Sequence, residues 1–255
     1  RDLRMSRGLG DVYKRQTLPA QMEEISKGAF QGCTSLRKVV LSEHLTKIGI
    51  GAFQDCTALQ TMVLPDSVTE LGEDAFLGCT SLQKLVLSKN LKCIPQRAFY
   101  QCTSLNEIVI PSGVERIESQ AFVQCSSLYA LSLPETVSYV GQNNFNGDTA
   151  LLSLTVYNPD CHLMTSDYEL PKQVLLYCYQ DSSLYWYAQQ YGREYVLLDT
   201  PETTTPSVTT APPETTATSP VTSTAAVSTA TESVTAAQTT TTTATTAETT
   251  AQTTE

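Results

Sequence analysis

The stretch Leu59–Phe76, LQTMVLPDSVTELGEDAF, decides the fold, because near copies of it precede and follow it at a constant spacing. Phe30, Phe53, Phe76, Phe99, Phe122 and Phe145 each close an Ala-Phe or Asn-Phe pair, and successive members stand 23 residues apart. The same step relates Cys33, Cys56, Cys79, Cys102 and Cys125, with Asp148 in the sixth place, and it relates Leu36, Leu59, Leu82, Leu105, Leu128 and Leu151. A fixed period of this size marks a solenoid, in which one unit has too little apolar surface to fold alone and is buried only by its neighbours.

Within each unit the first apolar group reads Leu-x-x-φ-x-φ, as in Leu82, Leu85, Leu87 and Leu105, Ile108, Ile110. Its end alternates with period two, which predicts a short strand with one face buried. Pro65, Pro111 and Pro134 stop that strand. A second apolar pair follows at Val68 and Leu71, Leu91 and Ile94, Val114 and Ile117, Val137 and Val140, and Gly49, Gly72 and Gly141 then predict a tight turn. The Ala-Phe-x-x-Cys segment is too short to hold itself as a helix, so one turn of helix or 3-10 held by packing is expected.

Composition divides the chain. Residues 1–16, RDLRMSRGLGDVYKRQ, fit neither the repeat nor a secretory leader, and Asp11–Gln16 reads like a sequencing or processing scar. Gly8 and Gly10 make a GxG there, but Tyr13 fills the third glycine position, so no phosphate loop is predicted. Residues 17–157 carry about six units, with the register starting at Leu18-Pro19, as if earlier repeats preceded it. Residues 158–199 read as a C-terminal cap: a strand at Val174–Cys178, a helix at Leu184–Tyr191 capped by Asp181 or Ser182 and closed by Gly192, and a strand at Tyr195–Leu198. Residues 200–255 contain no aromatic, no Lys and no Arg and are nearly half Thr, which predicts a disordered, extended and O-glycosylatable linker. Both ends read as cut, so the chain is expected to be a fragment.

The pattern LPxSVTxIGxxAFxxCTSLxxVxL, matched across residues 17 to about 157, resembles the BspA-like leucine-rich repeat. That resemblance implies an α/β solenoid: a right-handed superhelix with a parallel β-sheet on its concave face and short helical or 3-10 turns. It also implies a bacterial surface or secreted protein that adheres to host or other proteins. The segment 174–198 looks like the closing β-α-β cap of the same family, except that Cys178 and Asp181 stand where glycines are expected.

Other chemistry is weighed against plain packing. Five equivalent cysteines cannot pair off, so the ladder reads as a small buried residue filling one slot per layer, although stacked coils bring such positions within disulfide range. Cys161 and Cys178 flank the cap and are left as a possible pair. No CxxC is present and His44 and His162 lie far apart, so no zinc site, nucleophilic elbow or cofactor is predicted. Glu23-Glu24 and Glu73-Asp74 fall at polar repeat positions and read as solvated. The aromatics Tyr177, Tyr179, Tyr185, Trp186, Tyr187, Tyr191 and Tyr195 are read as closing the cap core, with sugar stacking as the alternative.

The strand face is the candidate site. If Leu36, Val39 and Leu41 point inward, Arg37 and Val40 point outward, and the 23-residue step repeats this as Gln60 and Val63, Gln83 and Val86, Asn106 and Val109, Tyr129 and Ser132. An exposed valine stripe flanked by polar groups fits a protein interaction surface, whereas the plain reading is that Val suits strands. A net charge of −10, with all 16 basic residues before position 200, excludes nucleic acid, and no run of 18 apolar residues spans a membrane. Two functions follow. The first is an extracellular or cell-surface protein-binding module on a Thr-rich stalk, the localisation resting on the resemblance and the stalk. The alternative is a non-catalytic targeting or spacer arm of a larger enzyme or docking-domain protein, meeting a cell-wall or docking partner through a missing C-terminus.

Overall fold

The computed structural model describes residues 15–164 and 170–199. The segment 1–14 of the proposed scar, residues 165–169 of the cap and the Thr-rich segment 200–255 lie outside the described residues. Chain contacts divide between Thr204 and Thr205, and every described residue belongs to the first unit.

The chain winds as a parallel-strand β-solenoid of about eight turns with very little helix. Each turn lays down a longer strand, a turn, a two-residue strand and a second turn. The longer strands Arg15–Thr17, Lys38–Val40, Thr61–Val63, Lys84–Val86, Glu107–Ile108, Ala130–Leu133 and Ser153–Val156 succeed one another coil by coil in a longer-strand series, paired in parallel groups of two, three and four, the last group completed by Leu175–Cys178 and Tyr195–Leu197 of the cap. Register follows the 23-residue step, as in Thr61↔Lys84↔Glu107 and Ala130↔Ser153, and shortens to Ser153↔Leu175 at the cap. The first strand takes in Arg15 and Gln16, which occupy the repeat positions of Lys38 and Val39. The short strands, among them Lys47–Ile48, Glu70–Leu71, Arg116–Ile117 and Tyr139–Val140, make a second parallel series, paired in groups of three and four, that the apolar pairs alone do not announce.

The repeated side chains stack between the ladders. Phe30, Phe53, Phe76 and Phe99 lie face over face with centroids 5.1, 5.4 and 6.0 Å apart, and Phe122 follows at 5.4 Å with its plane turned by 34°. Leu36, Leu59, Leu82, Leu105, Leu128 and Leu151 form a parallel buried column. Each coil supplies a floor for the next, so no single coil has a core of its own.

The Ala-Phe segment is neither free turn nor helix. Its amides alternate: Ala52 and Gln54 bond back three residues, to Gly49 and Gly51, in single turns of 3-10 type, while Phe53 and Asp55 bond forward to Ala75 and Leu77 of the next coil. This alternation needs two left-handed residues per coil. They fall at Gly28, Gly51, Asp74, Arg97, Gln120 and Asn143, and at Gly32, Asp55, Gly78, Gln101, Gln124 and Gly147, all with φ between 53° and 85°. At one of these positions the Arg97 guanidinium is ion-paired with the Asp74 carboxylate of the preceding coil and donates one hydrogen bond to it at 2.9 Å.

The tight-turn role expected of Gly49, Gly72 and Gly141 is corrected. None has positive φ; they are glycine because coils approach there. A Cβ on Gly49 would lie 2.6 Å from the Lys27 amide nitrogen, one on Gly141 2.6 Å from that of Ser119, and one on Gly72 would strike Ile50. Pro95 and Glu118 hold the same column in other coils, so the approach is local to those pairs.

The cap forms as the sequence predicts, with the helix at Ser183–Tyr191. Ser182 is the N-cap, accepting from the Tyr185 amide, and Gly192 closes the helix at φ 59°. Asp181 takes φ 63°, the left-handed conformation for which a glycine was expected. Buried Arg193 ties the cap together, donating to the Leu170 and Pro171 carbonyls and the Tyr187 hydroxyl.

Phe76 touches both neighbouring layers, so Phe76→Ala is expected to cost about 3–5 kcal/mol in urea unfolding. A loss under about 1 kcal/mol would show that the stack is dispensable.

Candidate functional site

Outward positions on the longer strands form columns because the 23-residue step is kept from coil to coil through the array. One column is Val40, Val63, Val86 and Val109, all exposed, continued by Ser132 and Thr155. A second holds Arg37, Gln60, Gln83, Asn106 and Tyr129, exposed in every case, with exposed Leu152 next in line. Val39, Met62, Leu85 and Ile108 point into the core between them. The structure therefore stacks the residues of the candidate site in two exposed columns, the valines on or at the end of the longer strands and the Arg37 column just before them.

A third column was not in the sequence reading: Lys38, Thr61, Lys84 and Glu107, all exposed and immediately beside the valines. Strand alternation places position i−2 on the same side as each valine, so counting back from Val40 rather than forward from Leu36 would have found it. Two shallow grooves lie along the valines. One, of 540 Å³, is lined by Lys84, Val86, Lys89, Glu107, Val109 and Ser112; the other, of 300 Å³, by Lys38, Val40, Glu43, Thr61, Val63 and Pro65.

The charges of the two polar columns beside the valines stand open, unlike those around them. Lys47, Lys89, Lys92, Arg97 and Arg116 are ion-paired with Glu70, Asp66, Glu115, Asp74 and Glu118. Among the described residues, no ion pair engages Arg37, Lys38, Lys84 or Glu107. Exposed pairs contribute little to stability, so open charges cost the fold nothing and remain available to a partner.

The cysteine ladder is internal. The thiols of Cys56, Cys79, Cys102 and Cys125 donate to the carbonyls of Phe30, Phe53, Phe76 and Phe99 at 3.1–3.3 Å, so the slot selects a small side chain that also carries a donor. Burial pushes all four thiols up, away from the reactive thiolate. The pairing left open for Cys161 and Cys178 is not made: both are buried free thiols.

In the sixth coil the slot changes chemistry. Asp148 Oδ1 accepts from the Cys125 amide at 2.8 Å, and Asn144 Oδ1 accepts from the Ala121 amide while its Nδ2 donates to the Gly141 carbonyl. Asp148 Oδ2 is buried without a partner. Burial pushes this carboxyl up to about 8, against the lowering effect of the Cys125 amide.

Elsewhere, His162 stacks on Tyr139, which also carries the Arg116 guanidinium 4.2 Å from its ring centre. No group of three or more His, Cys, Asp or Glu gathers to hold a metal among the described residues, and no helix there is long and apolar enough to cross a membrane. In the cap, Tyr179 and Tyr187 are buried as expected, while Trp186 stands exposed against the edge of Tyr185.

A parallel solenoid with an inward Phe-Cys-Leu layer and an outward strand face defines a leucine-rich-repeat class of protein. The family model described as "BspA type Leucine rich repeat region" matches six copies over residues 23–152, and the chain belongs to that family. A search of the curated proteins finds no match. Solved structures with a similar fold include a leucine-rich repeat protein from Bacteroides ovatus, with 21% identity and a TM-score of 0.43 over 72% of this chain and 60% of that one. The T. pallidum leucine-rich repeat protein shows 23% identity and a TM-score of 0.42 over 72% of this chain and 86% of its own. A leucine-rich cell surface protein from Faecalibacterium prausnitzii shows 16% identity and a TM-score of 0.38 over 73% and 88%. The chain thus spans 60% of the length of the Bacteroides ovatus protein.

Two predictions follow from the buried groups. Iodoacetamide on the native chain is expected to modify half-buried Cys33 and Cys93 first, the other six thiols waiting for denaturant; early labelling of Cys79 or Cys102 in peptide mass spectra would contradict the packing. Asp148 binds its proton in the fold up to about pH 8 but in the unfolded chain only below ~4, so stability falls as pH rises between those values. Asp148→Cys removes that dependence, and its gain in Tm over wild type is expected to grow from pH 5 to pH 8; a constant gain would contradict it.

Proposed function

We propose that the protein is a secreted or cell-surface interaction module that binds a protein through the exposed face of its longer ladder. One observation carries the reading: four valines, Val40, Val63, Val86 and Val109, stand in a single outward column and remain 41–70% exposed. A β-branched side chain in a strand is ordinary, but four in register, one on each of four neighbouring coils, make a contiguous apolar strip of the kind that marks interaction sites. The polar columns beside it supply a rim, and the face is carried on the paired strands Lys38–Val40, Thr61–Val63, Lys84–Val86 and Glu107–Ile108, so a partner meets a preformed surface. Placement at the surface rests on the BspA-type repeat and on the Thr-rich composition of residues 200–255.

The test is a triple variant, Val63→Lys, Val86→Lys and Val109→Lys. These side chains point to solvent, so circular dichroism and Tm are expected to stay near wild type. Against whichever immobilised protein the wild type binds best in a panel of purified matrix and bacterial surface proteins, the variant is expected to bind at least tenfold more weakly. Undiminished binding would remove the valine column from the site.

A further inference from the structure

The outward face is complementary to itself. Consider a two-fold axis lying in the face, parallel to the strands and midway between Thr61–Val63 and Lys84–Val86. It reverses the order of the strands, preserves position along each strand, and turns the face onto a second copy. Val40 then meets Val109 of the second copy and Val63 meets its Val86. Val40, 47% exposed, thus comes opposite Val109 at 70%, and Val63, at 61%, opposite Val86 at 41%. The two grooves also exchange, the Lys38–Val63 groove of one copy lying over the Lys84–Val109 groove of the other.

The polar columns obey the same operation. Lys38 comes opposite Glu107 of the second copy, and Glu107 opposite its Lys38, which supplies partners to two charges that lack an ion pair in the single chain. Thr61 faces Lys84, Arg37 faces Asn106, and Gln60 faces Gln83. On the far side of the valines Asp66 faces Lys89 and Glu43 faces Ser112. No like charges are opposed in these four columns. The outer coils continue the match, with Thr17 opposite Ser132 and Arg15 opposite Ala130.

We propose that the partner of this face is a second copy of the same chain, in an isologous two-fold dimer. The proposal rests on the reading of the face as a protein-binding surface and names its occupant. Six strands at ~4.8 Å and seven positions at ~3.3 Å give a patch of about 29 by 23 Å, roughly 660 Å² per copy, somewhat below the ~800 Å² of a standard interface. The dimer is therefore reversible, and its flanking charge pairs make it weaken with added salt.

The experiment is sedimentation velocity on the full chain across ~1–500 µM, the range in which an interface of this size associates, at low and high salt. The wild type is expected to shift from monomer to dimer with rising concentration. Glu107→Lys sets Lys38 against a lysine and is expected to raise the dimer Kd at least tenfold. Combining it with Lys38→Glu restores opposite charges at both ends and is expected to return the Kd to within threefold of wild type. A wild-type chain that stays monomeric throughout overturns the dimer, while a foreign protein whose binding is still lost in the triple valine variant leaves the broader reading standing. A dimer equally strong in the wild type, Glu107→Lys and the double variant forms elsewhere and overturns the proposal as well.

Discussion

Everything in this molecule depends on backbone groups of one coil finding partners in the next. A parallel strand leaves its amides and carbonyls unpaired unless a neighbour lies beside it, and buried unpaired groups are costly. The chain meets that requirement in two ladders and, between them, in the Ala-Phe segment, where Phe30, Phe53, Phe76 and Phe99 each send an amide to the alanine carbonyl one coil on. The thiols of the cysteine column bond in the opposite direction, each adding a second donor to a phenylalanine carbonyl that already accepts the cysteine amide of its own coil. Because every coil uses the same positions, the register cannot change by one residue without losing all of these bonds at once.

That fixed register turns a sequence period into a surface. Residues 23 apart stand side by side, so a preference for valine at one position becomes a continuous apolar column, and open charges at another become a rail beside it. The face is held by strands rather than loops, and the buried layer beneath it keeps its columns straight. Where the array meets its cap, the inner slots change from Ala and Cys to Asn144 and Asp148, which accept amide hydrogens of the preceding coil. This substitution ends the ladder with polar groups that hold one coil's amides, at the expense of one buried carboxylate oxygen without a partner.

The inward residues were legible in the sequence because one chemical demand, filling the same slot in every layer, repeats the same residue type at Phe, Cys and Leu. The cap was legible because Ser182, the Leu184, Tyr187 and Ala188 stripe, and Gly192 are strong local signals. The left-handed positions were not, since Gly51, Asp74, Arg97, Gln120 and Asn143 share a backbone conformation and no side-chain property. The glycines at 49, 72 and 141 were visible, but their cause, the approach of a preceding coil, is a tertiary fact. The second ladder escaped because its strands are two residues long, too short to show a period. On the outward face the valine column could be read, whereas the Lys38 column was missed for want of counting back two residues, and only the coil order sets its cations Lys38 and Lys84 and its anion Glu107 in line.

The most direct test of the account is native-state hydrogen exchange resolved to single amides. If coil-to-coil bonding holds the array, the amides of Phe53, Phe76 and Phe99 belong to the slowest class together with those of Met62 and Leu85, even though they lie in turns by local geometry. If those phenylalanine amides exchange as fast as ordinary surface turns while the strands stay protected, the Ala-Phe segment is packing without bonding, and the 23-residue register must be held by the strand ladders alone.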